Sequence, residues 1–146
     1  MSRLLIICII LGSLLVGCAG QPTPAATESQ GQAASRSNFV ASDPEMVRST
    51  GRPQVIVFFT FAACDVCQSM RPVIHALEDQ YGTQADFIYL DTAADNTKAM
   101  QKDLAYAGQP PTFIFLSADG NEMDRLVGLQ SRDTLVAKID GLFAVG

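Results

Sequence analysis

Residues Gln54–Cys67 read QVIVFFTFAACDVC, and two signals meet in them. Gln54 to Phe61 is β-branched and aromatic, apolar on both faces, which is the pattern of a central strand buried on both sides. Cys64-Asp65-Val66-Cys67 follows at once and opens a stretch of helical period. With Leu77 at zero and about 100° per residue, Val66, Met70, Val73, Ile74 and Tyr81 fall within about 60° of it. A helix is therefore expected over Cys64–Tyr81, ended by Gly82. His75 falls about 160° from that face and is expected to meet water.

Upstream, Asp43 caps a short helix with Pro44 at its first position, which Gly51-Arg52-Pro53 ends. Downstream, Asp86–Asp91 (DFIYLD) is a second strand, Asn96 to Ala105 a second helix, and Thr112–Ser117 (TFIFLS) a third strand. Ala118-Asp119-Gly120-Asn121 turns the chain into a fourth strand, Glu122–Val127. Ser131 caps a last helix with Leu135, Ile139 and Leu142 on one face. Right-handed crossovers would make the first three strands parallel and the tight turn would make the fourth antiparallel. The expected class is α/β, a mixed four-stranded sheet flanked by helices on both faces.

The chain has 146 residues, 48% hydrophobic and 17% charged, which suits one globular domain. Lys and Arg total 10 against 15 Asp and Glu, a net charge of -5, so the basic footprint of a nucleic-acid binder is missing. The 4 cysteines, at positions 8, 18, 64 and 67, are too few and too uneven for a disulfide scaffold.

Arg3 followed by the apolar run Leu4–Val16 and the small residue Gly17 reads as a signal peptide over residues 1–17, since the run is shorter than the ~20 residues of a membrane-spanning helix. Leu15-Val16-Gly17-Cys18 resembles the bacterial lipobox, which implies cleavage before Cys18 and lipidation of its sulfur. Cys8 lies in the removed part. Two or three acyl chains give the stable hold that one chain alone does not. Residues 18–41 are then the lipidated cysteine and a flexible linker rich in Ala, Gln, Ser, Thr, Gly and Pro, spanning about 25 Å. The folded domain is expected over 42–146.

A Cys-x-x-Cys placed directly after a buried strand and on the first turn of a helix is a redox motif in context. The two sulfurs come within bonding reach, and the unpaired amides at the helix start stabilise a thiolate on Cys64, the attacking nucleophile. Cys67 then resolves the mixed disulfide. A structural disulfide and half of a metal site are the alternatives, the latter lacking a second ligand pair.

With this motif the chain resembles the thioredoxin superfamily over nearly all of 42–146, and specifically its extracytoplasmic, tethered members. The resemblance rests on Cys64-Asp65-Val66-Cys67, on Pro72 in the long helix, on Pro111-Thr112 opening the third strand, and on Gly128 after the fourth. Pro72 removes the amide that would bond the Gln68 carbonyl. The resemblance implies a thioredoxin-like fold and a substrate groove at Pro110, Pro111 and Thr112, with Pro111 preferred over Pro110 as the family's cis-proline. It also implies a thiol-disulfide oxidoreductase with no cofactor beyond the Cys64–Cys67 disulfide and no metal. The implied partners are exported cysteine-containing proteins and a membrane redox partner, and the implied place is the extracytoplasmic face of a bacterial membrane, held by the lipid anchor. A non-catalytic binding module for a client or for copper-site assembly, with a structural disulfide, is the alternative. Ala63 stands where the family usually has tryptophan, and Phe58 where thioredoxins proper bury an aspartate. Asp65 and Val66, the two residues between the cysteines, are expected to tune the redox couple. Core packing is expected to account for Met46, Met70, Met100 and Met123, and a turn or a cap for Asp91 and Asp95.

Overall fold

The computed structural model describes residues 39–60 and 64–144. The expected signal peptide, Cys18 and linker residues up to 38 lie outside the described residues, as do Phe61 to Ala63. Four strands, β1 (Gln54–Phe59), β2 (Asp86–Asp91), β3 (Thr112–Leu116) and β4 (Glu122–Val127), form one sheet in the order β2-β1-β3-β4. Three helices, α1 (Asp65–Tyr81), α2 (Lys98–Asp103) and α3 (Arg132–Phe143), join them, with single 3-10 turns at Pro44–Met46 and Asp95–Thr97.

Every residue of β1 is buried, as a strand paired on both edges and covered on both faces must be. Val55, Val57 and Phe59 point to one side and pack with Cys67, Met70, Ile74 and Leu77 of α1 and with Leu135, Ile139 and Leu142 of α3. Ile56 and Phe58 point to the other side and pack with Val47, Ile88, Leu90, Leu104, Ile114 and Leu116.

One expected strand direction is corrected. β2 runs parallel to β1, but β3 runs antiparallel to it, with Thr112 opposite Phe58. A crossover helix must carry the chain back along the whole sheet, and the helical stretch Asp95–Asp103 is too short, at about 1.5 Å per residue. It also closes on itself: the Tyr106 N–H bonds the Gln101 carbonyl at 2.8 Å while Ala105 turns left-handed at φ 47°. The chain therefore enters β3 at the end of the sheet where it left β2.

The packed core includes Phe39, ahead of the expected domain start at Ser42. Phe39 is only 2% exposed and stacks on Tyr89, ring centroids 4.7 Å apart, and against Phe59 at 5.0 Å. Ser42 fastens this segment to the outer edge of β2, its N–H donating to the Tyr89 carbonyl at 2.8 Å and its Oγ accepting from the Tyr89 N–H at 3.0 Å. The same segment corrects the reading of His75, which is 3% exposed rather than facing water. Phe39 covers its ring at 5.2 Å, and its Nδ1 lies 3.3 Å from Glu78 Oε2. Among the methionines, Met70 is in the core on the α1 face of the sheet and Met100 packs against the cluster on the other face, whereas Met46 and Met123 are exposed, so core packing does not account for those two. Asp91 bounds a turn by accepting from the Ala93 N–H at 3.0 Å, while Asp95 supplies no cap.

Candidate active site

The chain leaves β1 at Phe59 and begins α1 at Asp65, with Cys64 as the cap residue. Its sulfur takes the role of a serine hydroxyl, accepting the Cys67 N–H at 3.1 Å, so one of the unpaired amides of the first turn already points at the sulfur. Cys64 and Cys67 are joined as a disulfide with Cα atoms 5.2 Å apart, within the usual range. Cys64 is half-buried and Cys67 is buried in the core. Cys64 Sγ is thus the sulfur nearer to solvent, beside an amide and the positive end of a helix, and the shielded Cys67 Sγ is in contact with Cys64 Sγ.

The peptide between Pro110 and Pro111 is cis, which makes Pro111 the cis residue. The Pro110 carbonyl oxygen lies 3.9 Å from Cys64 Sγ. Pro111 and Thr112 are buried, and each fixes the loop from within: the Gly128 N–H donates to the Pro111 carbonyl at 2.8 Å, and Thr112 Oγ1 donates to the Gln109 carbonyl at 2.6 Å. Of the three residues expected at a groove, Pro110 comes nearest the sulfur through its carbonyl, while Thr112 braces the loop that carries it.

Asp65 and Val66 are both exposed. Val66 was expected on the apolar face of the helix, but it is exposed, and Cys67 beside it makes the first turn's contact with the core. Phe58 is fully buried on the sheet face opposite Cys67 and stacks on Tyr106 with centroids 4.6 Å apart. Burial pushes the Tyr106 phenol up from its ordinary range, partly offset by a hydrogen bond from Thr92. Pro72 sits within α1. Val127 and Leu129, which sequence reasoning passed over, flank the Gly128 anchor and are exposed; their only signal was the glycine between them. Among the described residues no group of three or more His, Cys, Asp or Glu could hold a metal ion.

A helix-capping disulfide after a central strand, facing a cis-proline loop, now stands beside a family match: the thioredoxin-like domain model covers residues 40–142. The chain belongs to the thioredoxin-like family. It is 34% identical to a chloroplastic thioredoxin-like protein of Arabidopsis thaliana over 68% of this chain and 38% of that protein. It is also 27% identical to the thiol:disulfide interchange protein TxlA of Synechococcus elongatus over 97% of this chain and 71% of that one. The chain thus spans well under half the length of the chloroplastic relative. Among solved structures, oxidised thioredoxin O2 of Arabidopsis thaliana superposes with a TM-score of 0.60 at 23% identity, covering 74% of this chain and 96% of that one, a likeness of fold. The thioredoxin-like fold expected from the sequence, a mixed four-stranded sheet with helices on both faces, is the one found.

Proposed function

We propose that this protein is a thiol-disulfide oxidoreductase, held by a lipid on the extracytoplasmic face of a bacterial membrane, that exchanges disulfides with exported cysteine-containing proteins. The observation that carries the exchange chemistry is the disulfide at the start of α1, with Cys64 half-buried and Cys67 buried. In the reducing direction the Cys64 thiolate attacks a client disulfide, a Cys64–client bond forms, and the client's other sulfur leaves with the electron pair. The Cys67 thiolate then attacks Cys64 Sγ and expels the client's first sulfur, so two electrons pass from the protein to the client. A membrane dithiol partner returns the protein to its reduced form, and in the oxidising direction every step reverses. The printed name of the Synechococcus relative, a thiol:disulfide interchange protein, supports the exchange reading.

The tether rests on Arg3, the apolar run Leu4–Val16 and Leu15-Val16-Gly17-Cys18. Two measurements test the two halves separately. Reduction of insulin by the protein with dithiothreitol as donor supports the enzyme, and no turnover despite reducible cysteines points to a binding module with a structural disulfide. Cys18→Ser should move the protein from the detergent phase to the aqueous phase; unchanged partitioning removes the lipid anchor from the proposal.

A further inference from the structure

Beneath Phe39 lies a buried ionisable side chain that the exchange chemistry does not use. His75 is the only histidine of the chain and is 3% exposed. Its Nδ1 stands 3.3 Å from Glu78 Oε2, which also accepts the Tyr89 hydroxyl at 2.9 Å. A carboxylate only accepts, so the hydrogen of the neutral ring is on Nδ1 and Nε2 is a bare lone pair. Among the described residues Nε2 is buried and has no hydrogen-bond partner. Phe39 covers the ring at 5.2 Å and Tyr89 flanks it at 6.0 Å. A buried acceptor without a donor is tolerated more readily than a buried N–H without an acceptor.

We infer that residues Phe39–Ser42 are a strap that opens in acid, with protonation of His75 as the trigger. A second proton, taken from solvent onto Nε2, gives the ring a positive charge and a second N–H that no described residue accepts while Phe39 is seated. Glu78 offsets part of the charge, but its bond to Nδ1 is the same in both protonation states. The other charged side chains around the ring are Arg71 and Asp79, one turn before and after it on α1, and Asp91, two residues beyond Tyr89 on the same face of β2. None of them reaches Nε2 within hydrogen-bonding distance, and Phe39 and Phe59 bring no charge. Lifting Phe39 lets water accept from Nε2 and hydrate the cation. The strap can lift without unravelling the sheet, because it lies at the outer edge of β2 and is held there by the two Ser42 bonds to Tyr89 and one seated ring. The seat is therefore strongest where the ring is neutral and weakens as pH falls through the range in which the ring takes its second proton. Opening returns four residues to the segment ahead of the domain, at most about 14 Å of extended chain, so on the tether proposed above an acid exterior extends the reach of the disulfide. The switch itself depends on neither the tether nor the exchange reading.

The test follows both rings in one sample. The oxidised full-length protein in detergent carries 4-fluorophenylalanine at position 39, and its fluorine resonance separates the seated ring from the solvated one between pH 8 and pH 5, a window that spans the ordinary histidine range. As the only histidine, His75 gives an imidazole proton signal that needs no assignment and reads the charge of the ring directly. The solvated fraction of Phe39 should rise at least about fivefold across the window, the effect of one unsatisfied buried donor, with the same midpoint as the imidazole signal. His75→Gln, neutral throughout, should hold that fraction constant within about twofold, while Glu78→Gln should still open in acid. An imidazole signal that does not change down to pH 5, or that changes while Phe39 stays seated, overturns the inference, and these wild-type signals decide it even where a variant fails to fold. Opening that persists in His75→Gln, or that vanishes in Glu78→Gln, overturns it as well by assigning the trigger to another group. Reduction of insulin, measured separately, decides the exchange reading whichever way the strap behaves.

Discussion

Gly128 holds Pro111: its amide donates to the Pro111 carbonyl at 2.8 Å from a backbone at φ 79°, in the left-handed region, and a Cβ added there would meet nothing within 4 Å. Gly128→Ala therefore tests the backbone alone. It should cost about 1 to 2 kcal/mol, the left-handed penalty for an L-residue, read as a lower denaturant midpoint at unchanged slope. An unchanged midpoint would mean that the glycine is not required by this geometry.

The difference in exposure between the cysteines predicts their order of reaction. Limiting iodoacetamide added to the reduced protein should label Cys64 well before Cys67, because Cys67 is 1% exposed and its own amide points at Cys64 Sγ. Cys67→Ser should accumulate client proteins bound through Cys64. Faster labelling of Cys67 would reverse the assigned roles.

Asp65 carries a negative charge on the first turn of α1 beside Cys64 and makes no ion pair among the described residues. It opposes the thiolate, and a destabilised reduced form makes a more reducing couple. Asp65→Asn should raise the reduction potential by about 10 to 30 mV, where 30 mV corresponds to about 1.4 kcal/mol for two electrons. Equilibration with glutathione measures it, and an equal or lower potential contradicts the account.

Phe39 lies in a stretch whose composition reads as linker, yet it is a core residue. Phe39→Ala should destabilise the domain by about 3 kcal/mol, as for other buried phenylalanines. A residue of a solvated linker would change stability by no more than about 0.5 kcal/mol. Thermal or urea unfolding distinguishes the two.

Lys138 on α3 pairs with Asp124 on β4. Its hydrogen bond is the main reason that the Asp124 carboxyl titrates below its ordinary range, with the Arg125 backbone amide next. A carboxyl whose folded pKa is depressed adds stability above its unfolded pKa and loses it as pH falls through the folded one. Lys138→Gln should thus be less stable than wild type at pH 7, by under about 1 kcal/mol for so exposed a pair. The gap should close below the ordinary aspartate value of about 4. A gap that persists in strong acid would assign the loss to packing instead.

The strand and the helix on either side of Cys64 were legible because their signals are local. An apolar run with no polar face, a paired cysteine and a 3.6-residue period each act within a few residues of one another. The direction of β3 was not legible in the same way, since it depends on how far a short helical stretch carries the chain and on Ala105 adopting a left-handed turn, which nothing about alanine announces. His75 was misread for a related reason. The helix period assigns it to the side away from the sheet, but that side is covered by Phe39, a lone apolar side chain among polar ones. Val66 shows the converse, a residue within the apolar stripe by helix period that is exposed, while Cys67 makes the first turn's contact with the core. The cysteines and Pro111 could be named from the sequence, but the approach of the Pro110 carbonyl oxygen to Cys64 Sγ could not, because it depends on how the whole sheet sets the loop against the helix.

The fastening of Ser42 to Tyr89 also has a mechanical meaning. A pull on the N-terminal side of the domain reaches Phe39 and Ser42 first, and loads the outer edge of β2 through two hydrogen bonds and one seated ring. β1, by contrast, is bonded along both edges. On the proposed tether the fastening would act as a fuse under tension: it would yield before the sheet does, adding a few residues to the linker and uncovering the His75 ring, while the strand that leads to the disulfide keeps both its neighbours.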